Sequence, residues 1–325
     1  MSTKHPCDLL LEHPATILRE ALARRQQGLQ VSLVVVWSVS GSSSRAVGSM
    51  AMVDEHGLHG YVSHGCIDAD IKRHAELAMQ SGDIHTVLYG AGSPYMDLRL
   101  PCGGSLELLF LPNPDIEPLI QAVKSLDRRE EATVCISPTL GLVTDIGLDT
   151  QNFRYRPPAR IALAGRGALL RAAARQAVAS GFEIMIASPD LDDLEALSDL
   201  QPSESLRLGG QTVSLPLDPN TALLCLFHDH SWETELLINA LNQQPFYIGA
   251  LGSVKTHENR RQTLLKLGIK PSQLDRIVGP IGLVMRLKEA NAIALSALAQ
   301  ILSLRPAMIE QIDTGQAPTL KQVND

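Results

Sequence analysis

Several features of common protein classes are scarce or missing in this sequence. Five cysteines (Cys7, Cys66, Cys102, Cys135 and Cys225) are scattered through 325 residues, with no C-x-x-C pair. That pattern speaks against a zinc knuckle or a disulfide framework and suits a reducing cytoplasm. No apolar run approaches the roughly 20 residues that span a bilayer. The opening MSTKHPCDLL lacks the apolar centre of a secretory signal. Positive charge is not in excess: the net charge of −7 argues against a general nucleic-acid binder. What remains is the composition of an ordinary globular protein, long enough to bury two cores.

The densest chemistry lies early. An apolar, β-branched run from Val31 to Val39 is broken by Gly41, after which come Ser42, Ser43, Ser44, Arg45 and Gly48. Such a loop offers backbone amides, hydroxyls and a guanidinium to one anionic group. Two short strands about the turn Glu55-His56-Gly57 then lead to His64-Gly65-Cys66. Ile67, Ile71, Ala75 and Ala78 recur at helical spacing, which sets Cys66 at a helix N-terminus. A buried cysteine packed as a small hydrophobe fits the same letters.

Further along, Pro14–Gln27 and Ile116–Leu126 are expected as helices. Ile84–Tyr89, Ser105–Leu111, Ala132–Ser137 and Gly141–Thr144 are expected as strands. Leu100-Pro101-Cys102-Gly103-Gly104 leads into the second of these strands, and Phe153–Pro158 is expected as a stiff linker. These signals divide the chain into domains at 1–157 and 158–325. Gly41-Ser42-Ser43-x-Arg45-x-x-Gly48, followed by Gly60-x-Val62-Ser63-x-Gly65-Cys66-Ile67-Asp68-Ala69, resembles the N-terminal signature of the XdhC/CoxI family. Cys102-Gly103-Gly104 resembles that family's CGG element.

The second domain reads as a Rossmann-like parallel sheet. Arg160–Gly165, an alanine-rich helix to Ser180 and Ile184–Ala187 make a strand–turn–helix–strand unit. Gly165 and Gly167 fill two places of G-x-G-x-x-G, but Leu170 takes the third. Ser188 stands where an acid would hold a ribose, so the pattern for NAD is incomplete. Ala222–Phe227 is expected as a strand ending in His228-Asp229-His230. That trio suits either a divalent ion or a helix cap. Phe246–Gly249 runs into Gly252, Ser253 and Lys255, and the helix after them carries Arg260 and Arg261. This turn suits an anion at a helix N-terminus, or serves only to relieve crowding. Here the family shows Tyr-Ile-Gly-x-x-Gly-Ser, as this chain does. Near Gly282-Leu283 the chain departs from the family pattern, with Val284 for an aspartate and Arg286 for a glycine, before a helix expected from Leu287 to Leu302.

The resemblance implies an α/β protein, an N-terminal XdhC/CoxI-like domain followed by a Rossmann-like domain. It implies a molybdenum cofactor chaperone rather than an enzyme. Such a protein holds molybdopterin, or its cytosine dinucleotide form, for the apo large subunit of a xanthine dehydrogenase- or aldehyde oxidoreductase-type molybdenum hydroxylase. A cysteine desulfurase and cofactor biosynthesis enzymes are expected partners, and a cytoplasmic homodimer is expected, with no nucleic acid and no membrane. Gly41, Ser42, Ser43, Arg45, Gly65 and Gly103 would cradle the cofactor, with Cys66 and Cys102 toward the metal. Gly165, Gly167, His228, Gly252, Ser253 and Lys255 would hold further polar parts. An NAD(P)-dependent oxidoreductase and a thiol or metal redox protein are the competing readings.

Overall fold

The computed structural model describes residues 13–312 except Ser42, Ser44, His64, 94–102, Leu148, 209–214 and 228–231. These residues form two compact units, 13–157 with 307–312, and 158–306.

In the first unit α1 (Pro14–Gln26) precedes β1 (Ser32–Ser40), β2 (Met50–Asp54), β3 (Gly57–Gly60), α2 (Asp68–Ser81), β4 (His85–Gly90) and β5 (Ser105–Pro112). Then come α3 (Ile116–Asp127), β6 (Ala132–Ser137), β7 (Gly141–Val143) and β8 (Gln151–Tyr155). The first five strands pair antiparallel in the order β3-β2-β1-β5-β4. The two-residue period of a strand divides their side chains between two cores. Val34, Val36, Leu108 and Phe110 pack with Ile71, Ala75 and Ala78 of α2. Leu33, Val35, Leu109 and Leu111 face the core that also holds residues of α1, α3 and the remaining strands.

From the sequence, Phe153–Pro158 is expected as a linker, but its first half belongs to β8, which pairs antiparallel with β6. Phe153 and Tyr155 alternate inward and are fully buried, and the Tyr155 hydroxyl donates to Gly48 O at 2.9 Å. The prolines confine the extended exit to the residues after Tyr155, since they cannot donate to a ladder.

The second unit contains β9 (Arg160–Gly165), α4 (Gly167–Ala179), β10 (Glu183–Ser188), α5 (Leu191–Glu195), β11 (Glu204–Arg207) and β12 (Thr221–Leu226). It continues with α6 (Glu233–Gln243), β13 (Tyr247–Ala250), α7 (Val254–Lys266), α8 (Pro271–Leu274), β14 (Ile277–Val278) and α9 (Ala290–Leu304). Its strands are all parallel, in the order β11-β10-β9-β12-β13-β14. Renumbered from the first strand, this is 3-2-1-4-5-6, the Rossmann arrangement, with its reversal between β9 and β12. Helix α9 begins at Ala290 rather than Leu287. The segment before it is tied back to the helix side by Gly282 N to Gln300 Oε1 (2.8 Å) and Val284 N to Ser296 Oγ (2.7 Å). A last strand, β15 (Ile309–Ile312), pairs antiparallel with β8. Ile309–Ile312 therefore joins the first unit, where the sequence division at 158–325 had put it in the second.

The seat of α2 is polar as well as apolar. Tyr89 donates to Asp70 Oδ2 at 2.9 Å, and His74 Nδ1 meets His85 Nε2 at 3.3 Å beside Phe110, on which the His85 ring stacks. Burial holds His74 below the ordinary imidazole value of 6.5, aided by the positive charge of Arg73 and by His85, and opposed by Asp70. Burial pulls the Asp70 carboxyl upward. Hydrogen bonds from Arg73 and Tyr89, with the charges of His74 and Arg73, outweigh it and leave Asp70 below 3.8. A lowered histidine means that the unfolded chain takes up its proton first, so stability falls as pH drops from 6.5 toward the folded value. Asp70 adds a second loss below 3.8, as pH falls through its own folded value. We expect the urea midpoint followed by Trp37 fluorescence, in a Trp232→Phe background, to fall between pH 7 and pH 5. His74→Gln should flatten that slope; an unchanged slope would mean that His74 does not carry it.

Candidate functional site

The contacts of α2 gather the N-terminal motif residues at one end of the five-stranded sheet. Asp70 lies against Tyr89 and His74 against His85, so α2 runs antiparallel to β4. Its N-terminus, with exposed Cys66 just before it, therefore stands at the Gly90 end of that strand. At the same end Gly90 pairs with Ser105, Ser105 pairs with Ser40, and Ala91 N donates to Gly104 O at 3.2 Å. Gly41 packs on Gly104: a Cβ at Gly41 would lie 3.3 Å from the Gly104 Cα, at a φ of +75°. Gly41, Gly65, Cys66 and Gly103 thus belong to one cluster of strand and helix ends, with Arg45 on the loop that Gly41 opens.

Within that cluster the loops are shaped by their own hydroxyls. Ser43 Oγ accepts from Arg45 N (3.2 Å) and donates to Arg45 O (3.1 Å), so its role is to fold the loop that presents Arg45. Ser63 Oγ accepts from Gly65 N at 3.0 Å and donates to Asp68 Oδ1 at 2.5 Å, which fixes the turn carrying Cys66. The other described thiols differ. Cys135 and Cys225 are buried, and burial pushes both upward, Cys225 far more. An exposed thiol beside a loop of amides and a guanidinium can meet a soft metal or sulfur at one end of a ligand and an anion at the other.

In the Rossmann unit the first crossover is occupied by the chain itself. Gly165 is required by close packing, because a Cβ there would fall 2.8 Å from Leu226 Cβ. The amide of Gly167, which opens α4, donates to Asp193 Oδ2 at 2.6 Å, and Arg171 Nε bonds Asp193 Oδ1 at 2.6 Å. Asp193 is buried. Its carboxylate sits where a Rossmann crossover would otherwise receive a pyrophosphate. Arg166 pairs with Asp190 at 3.4 Å, and Ser188 Oγ accepts from the Asp190 amide.

The crossover from β13 to α7 is built differently. Gly252 adopts φ +140°, and a Cβ would lie 2.5 Å from Thr256 Cγ2. Ser253 caps α7 by accepting from Thr256 N at 3.1 Å. Behind the turn Arg260 and Glu233 form an ion pair with both side chains 2% exposed, and Arg260 also donates to Leu251 O at 2.6 Å. Burial, with Arg260 and Arg261 close by, holds His257 below its ordinary value. A cleft of about 590 Å³ opens over this turn. Leu251, Gly252, Ser253 and Val254 form one side, and Ile281, Val284, Met285, Arg286 and Ile293 are on the other.

Ser42, Cys102 and His228, the last with Asp229 and His230, lie outside the described residues. Among the described residues no group of three or more His, Cys, Asp or Glu side chains is arranged to hold a metal ion. Sequence reasoning missed Asp193, Glu233, Asp70 and Tyr89. Each acts through a contact distant in sequence, although Asp70 directly follows the Gly60–Ala69 signature, Asp193 comes one turn after Ser188-Pro189-Asp190 and Glu233 soon after His228-Asp229-His230.

Comparison with known proteins gives a consistent result. Residues 161–301 match the XdhC Rossmann domain, and residues 24–90 match the XdhC and CoxI family. A protein of Escherichia coli (strain K12) named molybdenum cofactor insertion chaperone PaoD is 32% identical over 305 residues, covering 91% of this chain and 90% of its own. A crystal structure from Bacillus halodurans, described as a xanthine dehydrogenase, superposes with a TM-score of 0.72 at 21% identity. It covers 89% of this chain and 95% of that one, and it supports the fold.

The buried pair behind the Gly252 turn has a measurable consequence. Removing one partner strands a charge in the interior, at a cost of about 3–5 kcal/mol. Arg260→Met or Glu233→Gln should lower the unfolding free energy of the Rossmann unit by that order, and the double variant Arg260→Met with Glu233→Leu should recover part of it. Loss of less than about 1 kcal/mol in both single variants, in urea denaturation, would show that the turn does not depend on the pair.

Proposed function

The chain belongs to the XdhC and CoxI family, and from that premise we propose that it binds molybdenum cofactor and delivers it to an apo molybdenum hydroxylase. The observation that carries this reading is the meeting of Gly41, the Gly65-Cys66 turn and the Gly103-Gly104 pair at one end of the N-terminal sheet. Such a place offers an anion cradle next to an exposed thiol, as a ligand with a phosphate and a metal–sulfur end requires. Arg45 and the loop amides serve the phosphate. Cys66, joined by Cys102, serves the metal end. The likeness to a protein named as a cofactor insertion chaperone supports the same cargo.

An NAD-dependent oxidoreductase is the weaker reading. The amide that would hold the pyrophosphate is engaged by Asp193, and Ser188 stands at the ribose position. The role is therefore one of carriage rather than catalysis. The client is the large subunit of a xanthine oxidase-type hydroxylase, with a cysteine desulfurase supplying sulfur and biosynthesis enzymes supplying the cofactor. A cytoplasmic homodimer completes the reading. Among the described residues no helix is long and apolar enough to cross a membrane.

Pterin co-purifying with the chain, oxidised to its fluorescent form, measures the load. Wild type incubated with released cofactor should hold about one pterin per chain. Arg45→Ala, Cys66→Ala and Cys102→Ala should each lose most of it while keeping the wild-type circular dichroism. Full loading of all three variants would remove the site from the N-terminal unit, and no pterin in wild type would end the carrier role.

A further inference from the structure

The cleft over the β13–α7 turn is not needed to bind the cargo at the N-terminal unit, yet it has the form of a ligand site. It lies at the carboxyl edge of a parallel sheet, where open α/β folds take ligands. Its volume of about 590 Å³ suits a small molecule. Its two kinds of wall suit two kinds of chemistry. On one side Ser253 caps and Val254 begins α7, a helix of 13 residues whose first amides have no acceptor within the helix. Arg286 lines the cleft and, like Lys255, forms no ion pair or hydrogen bond with another described residue. An uncommitted guanidinium and a helix N-terminus around one opening select an anion.

The remainder of the lining is aliphatic: Ile281, Val284, Met285, Leu287 and Ile293. Val254, Val284 and Met285 are 64%, 58% and 56% exposed, an unusual outlay of large apolar surface around a single opening. Aliphatic faces and a methionine sulfur accept a flat aromatic ring well. Arg286 adds one more sign. It holds a left-handed φ of +64°, which costs a residue with a Cβ and which glycine adopts freely. The strained backbone keeps an arginine at the mouth.

We propose that this cleft binds a nucleoside phosphate, its phosphate on the α7 N-terminus beside Arg286 and its base against Ile281, Ile293 and Met285. The first crossover, closed by Asp193, is then not the nucleotide site of this Rossmann unit. The phosphate group has two possible sources, a free nucleotide or the nucleotide arm of a larger ligand such as a dinucleotide form of the cargo. The first source stands independently of the proposed function. The second rests on it.

Isothermal titration of the full chain with the four common ribonucleoside monophosphates, cytidine, inorganic phosphate and plain or nucleotide-extended pterin cofactor tests the idea. At least one ligand carrying a nucleoside phosphate should bind with one site per chain. Arg286→Gly should weaken it at least tenfold, and Ile293→Trp, which fills the cleft, should abolish it. Arg286→Gly suits the backbone it replaces, so its fold is retained. Micromolar binding of a free monophosphate identifies the first source. Tight binding confined to the nucleotide-extended cofactor, lost in Arg286→Gly while plain cofactor still binds, identifies the second. The proposal is overturned if no nucleoside phosphate binds, if inorganic phosphate binds as tightly, or if binding survives both Arg286→Gly and Ile293→Trp. Pterin loading lost in Arg45→Ala but retained in Arg286→Gly would leave the carrier role standing even so.

Discussion

The hydrogen bond from Tyr89 to Asp70, with the His74–His85 contact one turn further along, is the constraint on which the N-terminal site depends. Apolar packing alone would hold α2 on the sheet but would leave its position along β4 loosely set, because methyl groups slide past one another at little cost. Two polar contacts one helical turn apart fix that position. They thereby decide that Cys66 stands at the same sheet end as Gly41 and Gly104. The partly buried carboxylate and imidazole that do this are also the groups whose protonation works against the fold in acid.

The Rossmann unit shows a second constraint, set by what fills each crossover. At β9–α4 an internal carboxylate, Asp193, satisfies the helix amide and an arginine together. At β13–α7 the buried Arg260–Glu233 pair lies behind the turn and grips Leu251 O, leaving the front of the turn to the cleft. The same fold thus closes one helix end with its own carboxylate and leaves a cleft at the other. The shift follows from where the charges lie, not from the strand order.

Much of this was legible in the sequence. The apolar run before Gly41, the helical spacing after Cys66 and the strand–glycine–helix unit at Arg160 are local patterns, and each became the element expected. The XdhC/CoxI resemblance, drawn from Gly41–Gly48 and Gly60–Ala69, agrees with the family matches. Contacts that join distant residues were not legible. β8 was read as a linker because Pro157 and Pro158 outweighed the alternation of Phe153 and Tyr155, and its partner β6 lies well before it. Ile309–Ile312 joins β8 from the far end of the chain. Asp193 and Glu233 looked like ordinary helix acids, since acidic residues in a first turn are commonplace. Only their burial against Gly167, Arg171 and Arg260 shows otherwise.

The central claim is that the end of the five-stranded sheet holds the cargo's metal. An anomalous difference map from crystals of the cofactor-loaded chain, recorded at the molybdenum absorption edge, tests it most directly. The account predicts one dominant peak beside Cys66 and the Gly103-Gly104 loop. A peak confined to the Rossmann unit, or none beside Cys66 in fully loaded crystals, would contradict it.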